Sequence, residues 1–281
     1  VAYGSHEAKV YYVEETNYGE TPSPNPNMLG LKTAFDVEHN IDPGLLKLRG
    51  IGSRDLDTIK KGLRKPTLKF GYLIPSSAPI NFLQYAATLK SLSIEIFYER
   101  TAIIDLLFKG MKIDKVTVQL TDIESENAVI SVPNVELMGQ NVVVATAKNS
   151  TNYADYIGAV AYNESYVKKG VTTLDRVTDW SFTIENHLKR VPVIRSTSGE
   201  LLKYLQPRHR DLYGELTFEF ESKEEHDEVL SDTEFSLEFG LGGTNKAVFS
   251  NCKWASVKNV TRIEDLVAIK APFLAKSVAI S

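Results

Sequence analysis

Cysteine is nearly missing from this chain: Cys252 is the single one in 281 residues. That excludes an intrachain disulfide and any thiolate cluster able to hold a metal. Long apolar runs are missing too. Segments such as VVVATA from Val142 fall far short of the roughly 20 residues a membrane-spanning helix needs. VAYGSHEAKV carries no basic-then-apolar targeting pattern, so synthesis in a cytoplasm is the expectation. Sequons at Asn149, Asn163 and Asn259 would matter only on a secretory route. A charge excess is absent as well. The net charge of −4 is too mild to argue for a nucleic-acid footprint or an anionic membrane partner. What is present, 43% hydrophobic and 24% charged residues, is the composition of a globular protein with a core.

The chain repeats itself in order. FDVEHNI from Phe35 is echoed by FTIENHL from Phe182, and Arg49 by Arg195. LKFGY from Leu68 is echoed by LTFEF from Leu216, and LSIEI from Leu92 by FSLEF from Phe235. FKGMKIDKV from Phe108 is echoed by FSNCKWASV from Phe249, and VISVP ending at Pro133 by AIKAP ending at Pro272. Six collinear echoes with a slowly drifting spacing imply two copies of one unit. The expected division is 1–149 and 150–281, with a polar, unpatterned junction in KNSTNYAD from Lys148 to Asp155.

Each copy alternates like strand. Leu216, Phe218 and Phe220 face one way, Thr217, Glu219 and Glu221 the other. The same alternation places Phe249, Asn251 and Lys253 on one side and Ser250, Cys252 and Trp254 on the other. Turn signals such as IDPG, GLGGTN and ETPSPNPN separate the runs. One helix is expected per copy: Ile80 to Lys90, opened by Pro79, and Ser222 to Ser231, with Ser222 as N-cap before acidic residues. The fold class is therefore mainly β with minor α. It reads as two similar antiparallel sandwich or half-barrel domains, each with a short helix and a long inter-strand loop. Those loops, Ile51 to Pro66 and Ser196 to Asp211, read as lacking regular structure. They end in Lys60, Lys61, Arg64 and Lys65 and in Arg208 and Arg210.

Catalytic chemistry is hard to find. HEAKV at His6 lacks the second histidine of a zinc protease, RGIGSRD lacks the third glycine of a dinucleotide loop, and GLGGTNK lacks phosphate-loop spacing. His39 and His187 fall in neighbouring columns of the echoed strands and read as structural. Cys252 beside Trp254 reads as a small core residue. No catalytic, metal or cofactor residue is expected. The six loop cations read either as solvated charge or as one docking function present twice. Nucleic-acid binding is the weaker option, because few aromatics are interleaved with the charges.

A unit that packs beside copies of itself can close a ring, and closure removes open strand edges. EETNYGETPSPNP (Glu14 to Pro26) resembles the Tyr-Gly-x-x-Pro opening of tailed-virus major tail tube proteins. GSRDLDTIKKG is similar to that family's Gly-Ser-Arg-Asp stretch, and the second copy departs from it with STSGELL. The order of elements over the whole chain is similar to two tandem tube domains. The resemblance implies trimeric, pseudo-hexameric rings stacked into a virion tail tube, with a continuous β-barrel round a lumen for genome delivery. The implied partners are the chain itself, the tape measure, the terminator, the baseplate or tip, a sheath where one exists, and double-stranded DNA in transit. Neither a membrane nor a cofactor is implied. Lys60, Lys61, Arg64, Lys65, Arg208 and Arg210 would contact the adjacent ring. The alternatives are a duplicated clamp encircling DNA and a β-sandwich binding a small ligand.

Overall fold

The computed structural model describes residues 3–76, 81–125, 128–156, 158–195, 197–261 and 267–281. Pro79, Ile80 and Ser196 lie outside them. The first half runs β1 (Ala8–Glu14), β2 (Met28–Gly30), β3 (Phe35–Asp42), β4 (Leu46–Leu48), β5 (Thr58–Lys60), β6 (Lys65–Leu73), α1 (Asn81–Thr88), β7 (Leu92–Glu99), β8 (Ile103–Leu120), β9 (Ser131–Met138) and β10 (Asn141–Ala145). After β11 (Tyr153–Ala154), the second half runs β12 (Val167–Lys169), β13 (Thr172–Thr173), β14 (Val177–Glu185), β15 (Lys189–Val191), β16 (Tyr204–Gln206), β17 (Asp211–Glu219), α2 (Glu224–Ser231), β18 (Phe235–Gly240), β19 (Lys246–Trp254), β20 (Lys258–Val260), β21 (Ala268–Leu274) and β22 (Ser277–Ile280). The protein is mainly β, and among the described residues its sheets do not close into a barrel.

In the first half β1, β7, the start of β8 and β10 form one layer, and β3, β6, β9 and the end of β8 form the other. In the second half β12, β18, β19 and β22 face β14, β17, β21 and β20 in the same order. One strand in each half passes between layers, and it turns at a left-handed residue: Gly110 (φ 66°) and Asn251 (φ 53°). Each residue sits at a register shift, with Leu92 and Ile94 opposite Met111 and Phe108, and Phe235 and Leu237 opposite Cys252 and Phe249. An extra residue at a bulge interrupts alternation. That corrects the expected faces of β19: Phe249, Cys252 and Trp254 all point inward, and Asn251 points out.

The ladders relate the halves position by position. LSIEI and FKGMKIDKV match their echoes in register. Elsewhere the register slides. Ile41 opposite Pro66 takes the place of Ile184 opposite Leu212, and Phe70 opposite Val135 that of Leu216 opposite Ala271. Leu137 opposite Ile113 takes the place of Phe273 opposite Trp254. Left-handed residues mark the same points, with Gly44 matching His187 before the arms and Leu89 matching Asp232 after the helices. His39 and His187 therefore do not occupy neighbouring places.

Both helices are eight residues long. α1 buries Phe82, Leu83, Tyr85 and Ala86. α2 carries Glu224, Glu225 and Asp227 in its first turn, where the helix dipole favours anions. Lys223 rather than Ser222 occupies its N-cap, and Ser222 Oγ accepts from Glu224 N at 3.3 Å instead. Buried Glu225 is neutralised by Arg176.

The stretch expected as a polar junction is bonded to the first half. Glu95, fully buried, accepts from Asn149 N (2.8 Å) and from Tyr153 Oη (3.0 Å). Tyr11 Oη donates to Asp155 Oδ1 (2.8 Å), Ser150 Oγ to Pro26 O (2.6 Å), and β11 pairs parallel to β2. Beneath it Asp105 is buried beside Glu95, and desolvation followed by that like charge pushes its carboxyl up to about 7.

Candidate assembly surfaces

The two halves meet edge to edge. The end of β8 pairs antiparallel with β14 from Trp180 opposite Leu120 to Glu185 opposite Lys115, giving the strand order β3-β6-β9-β8-β14-β17-β21-β20. Val116, Val118, Phe182 and Ile184 are fully buried at the seam and join the two cores into one. Each such side chain contributes about 1.5–3 kcal/mol relative to an exposed one. Thr117 and Thr183 hydroxyls meet at 2.9 Å, and Lys115 pairs with Glu185 at 3.2 Å. Asn186, 1% exposed, donates both ways from Nδ2, to Ala86 O and Ile113 O at 3.0 Å. Asp114 accepts from Leu188 N at 2.6 Å, and desolvation holds its carboxyl above the usual range.

The long loops are not irregular. Each is a two-stranded arm inserted at the same place, β4–β5 between β3 and β6, and β15–β16 between β14 and β17. The second arm lies on the first half, where Leu188, Leu202 and Leu205 pack against Tyr18, Leu63, Leu89 and Met138. Gln140 Nε2 donates to Leu202 O at 2.7 Å, and Arg64 N to Glu200 O at 2.8 Å. The opening motif builds this seat. Buried Glu15 accepts from Ser93 Oγ, Gly110 N and Gly19 N, each at 2.8 Å. Gly19 has φ 81°, a left-handed conformation that favours glycine, and a Cβ there would displace the Gln140 amide that holds Leu202 O.

The counterparts of this seam are open. Among the described residues β3 pairs only with β6, and β20 only with β21. Ile41 is 40% exposed where its match Ile184 is buried. The first arm presents Leu45, Leu46, Leu48, Ile51 and Ile59 to solvent. On the second half Leu274 and Leu230 are exposed where their matches Met138 and Ala87 lie beside the second arm. An open cleft of about 620 Å³ runs along β3, lined by residues including Val10, Leu31, Phe35 and Val37.

The six loop cations separate. Arg64 reaches Asn141 Oδ1 (2.7 Å) and Glu200 (3.8 Å), and Arg210 reaches Ala87 O (3.3 Å) at the end of α1. Both thus bind across the seam within one chain. Arg208 Nε donates to His187 O at 3.4 Å. Lys65 lies in β6 opposite Asp42, and Lys60 and Lys61 are exposed on the first arm. Sequence reasoning weighed these cations and missed the apolar residues beside them. The signal was LLKL (Leu45 to Leu48), just before the segment read as a loop, and Ile59 within it.

No protein-family model matches the chain, and no curated protein matches it by sequence. Among solved structures, a chain of a native gene transfer agent virion is similar over 44% of this chain and 99% of its own, at 6% identity and TM-score 0.36. A chain of the sheath–tube complex of an extracellular contractile injection system is similar over 43% and 89%, at 12% identity and TM-score 0.31. The tube-terminating cap of an anti-feeding prophage is similar over 44% and 92%, at 12% identity and TM-score 0.33. At these TM-scores the likenesses carry no functional weight.

Proposed function

We propose that this chain is a structural ring builder of a virion tail, in which two copies of one unit, 1–149 and 150–281, join head to tail. The observation that carries the reading is the β8–β14 seam together with the outer edges of β3 and β20, which are unpaired among the described residues. One chain satisfies one junction of this kind internally and leaves one half-junction at each end. A heterologous contact that repeats closes a ring when its rotation allows. β20 of one copy meets β3 of the next, with Lys258 opposite Asn40 as Thr117 stands opposite Thr183. The first arm then lies on the second half of the neighbour, over Leu230 and Leu274.

The resemblance of the Glu14–Pro26 segment to tail tube proteins supplies the class of assembly: three chains, six units, a continuous β-barrel around a lumen, and rings stacked into a conduit for DNA. Tape measure, terminator, baseplate or tip and sheath proteins are the further partners. Lys60, Lys61, Lys65 and Arg208 remain the proposed contacts between rings, whereas Arg64 and Arg210 serve the seam. The chain has no enzymatic role in this reading. A clamp lined by basic helices finds no support in α1, which carries no charge, or in α2, whose first turn is acidic. Electron microscopy of concentrated protein and of virion extracts tests the proposal. Rings or hollow tubes are expected, and monomers at every concentration and in extracts would overturn it.

A further inference from the structure

His187, His209 and Asp211 meet where the second arm leaves and rejoins the sheet. His187 follows the end of β14, and His209 and Asp211 lead into β17. The two imidazoles stack with centroids 4.1 Å apart and planes 29° apart. Both Nε2 atoms turn to the same oxygen, Asp211 Oδ2, which is 2.7 Å from His187 and 3.9 Å from His209. One ligand atom from each residue falls within 4.8 Å of the others. Behind His187, Nδ1 lies 3.7 Å from Glu185 Oε1, beyond hydrogen-bond reach, and Glu185 is held instead by Lys115 and Tyr213 Oη, each at 3.2 Å. A simple histidine–carboxylate pair accounts for one ring and leaves the second, aimed at the same oxygen, unexplained.

The fold does not need this cluster. The matching places of the first half are Gly44, Leu63 and Lys65, none of which ligates a metal at neutral pH. There the arm root closes with Gly44 N on Asp42 Oδ1 (2.7 Å) and Gly62 N on Pro43 O (3.2 Å).

We propose that His187 Nε2, His209 Nε2 and an Asp211 oxygen bind one divalent first-row transition ion. Two imidazoles and a carboxylate suit zinc, cobalt, nickel or copper rather than magnesium or calcium. The ion replaces the proton between His187 and Asp211, draws His209 in, and leaves its remaining position to water. It ties the two roots of the arm that crosses the seam, and it stands whether or not the chain builds rings.

Calorimetric titration of the chelator-treated full-length chain with zinc chloride tests this. One ion per chain is expected, with cobalt giving the visible absorption of a low-coordinate nitrogen and oxygen site. His209 is 63% exposed in its side chain, so His209→Ala keeps the fold, and it should weaken zinc binding tenfold or more. His187→Asn, which suits the left-handed backbone there, should do the same. The absence of saturable one-to-one uptake, or uptake undiminished in a folded H187N/H209A variant, would overturn the proposal.

Discussion

The second arm holds Leu188 and Leu205 at 6% and 1% exposure, whereas Leu45 and Ile59, at the matching places of the first arm, stand at 51% and 56%. The strands beside them repeat the contrast, with Ile184 at 0% and Ile41 at 40%. Residue class and position agree, so neither explains the difference. What differs is the neighbour. The second arm has a half of the same chain before it, and among the described residues the first has none. Exposed apolar residues on a flat strand edge are an association or aggregation risk in a monomer, and here they sit where a second copy would cover them.

The largest separation between matched residues should come from a charge at the seam. Ile184→Asp buries an unpaired carboxylate and should cost about 3–5 kcal/mol or unfold the chain. Ile41→Asp should change monomer stability by no more than about 0.5 kcal/mol and still abolish assembly. Denaturant unfolding with sedimentation checks both, and equal destabilisation by the two would break the comparison. The arms give the next effect. Leu205→Ala should cost about 2–5 kcal/mol, and Ile59→Ala about 0.5 kcal/mol or less while weakening self-association.

A smaller effect concerns Asp105. Its carboxyl, raised to about 7, keeps in the folded chain a proton that an unfolded chain releases near pH ~3.9. Its contribution to stability is complete below that lower value, falls as pH rises and is gone above about 7. Asp105→Asn should therefore raise stability at pH 8 by on the order of 1 kcal/mol and flatten the difference between pH 5 and pH 8. A variant less stable than the parent at pH 8 would contradict the assignment. Smallest for the monomer is the double reversal Lys60→Glu and Lys61→Glu. It should leave unfolding within about 0.5 kcal/mol and shorten tubes in micrographs; unchanged tube length would remove these lysines from ring contacts.

The strands carried by the echoes, both helices and their order were legible in the sequence, because apolar alternation and turn residues are local signals. The echoes LSIEI and FKGMKIDKV even carried the ladder register. FDVEHNI did not, because a strand slid by an even number of residues presents the same face and reads equally well. The bulge at Asn251 was invisible for a related reason: alternation cannot show an inserted residue. The arms were taken for irregular loop, since three-residue strands such as TIK leave almost no periodic trace. Convergence of His187 with His209 and Asp211 is tertiary and left no spacing to read.

The central claim is tested most directly by cysteines placed at Asn40 and Lys258. In one chain these lie on the two outer strands of an eight-strand order, seven spacings of ~4.8 Å apart, beyond intrachain closure. Burial pushes the Cys252 thiol up to about 12, so it stays silent. Mild oxidation of the Asn40→Cys/Lys258→Cys chain should give covalent dimers and trimers ending in a closed ring, with neither single variant doing so. Monomers only, under conditions where the assembled form is present, would contradict the account.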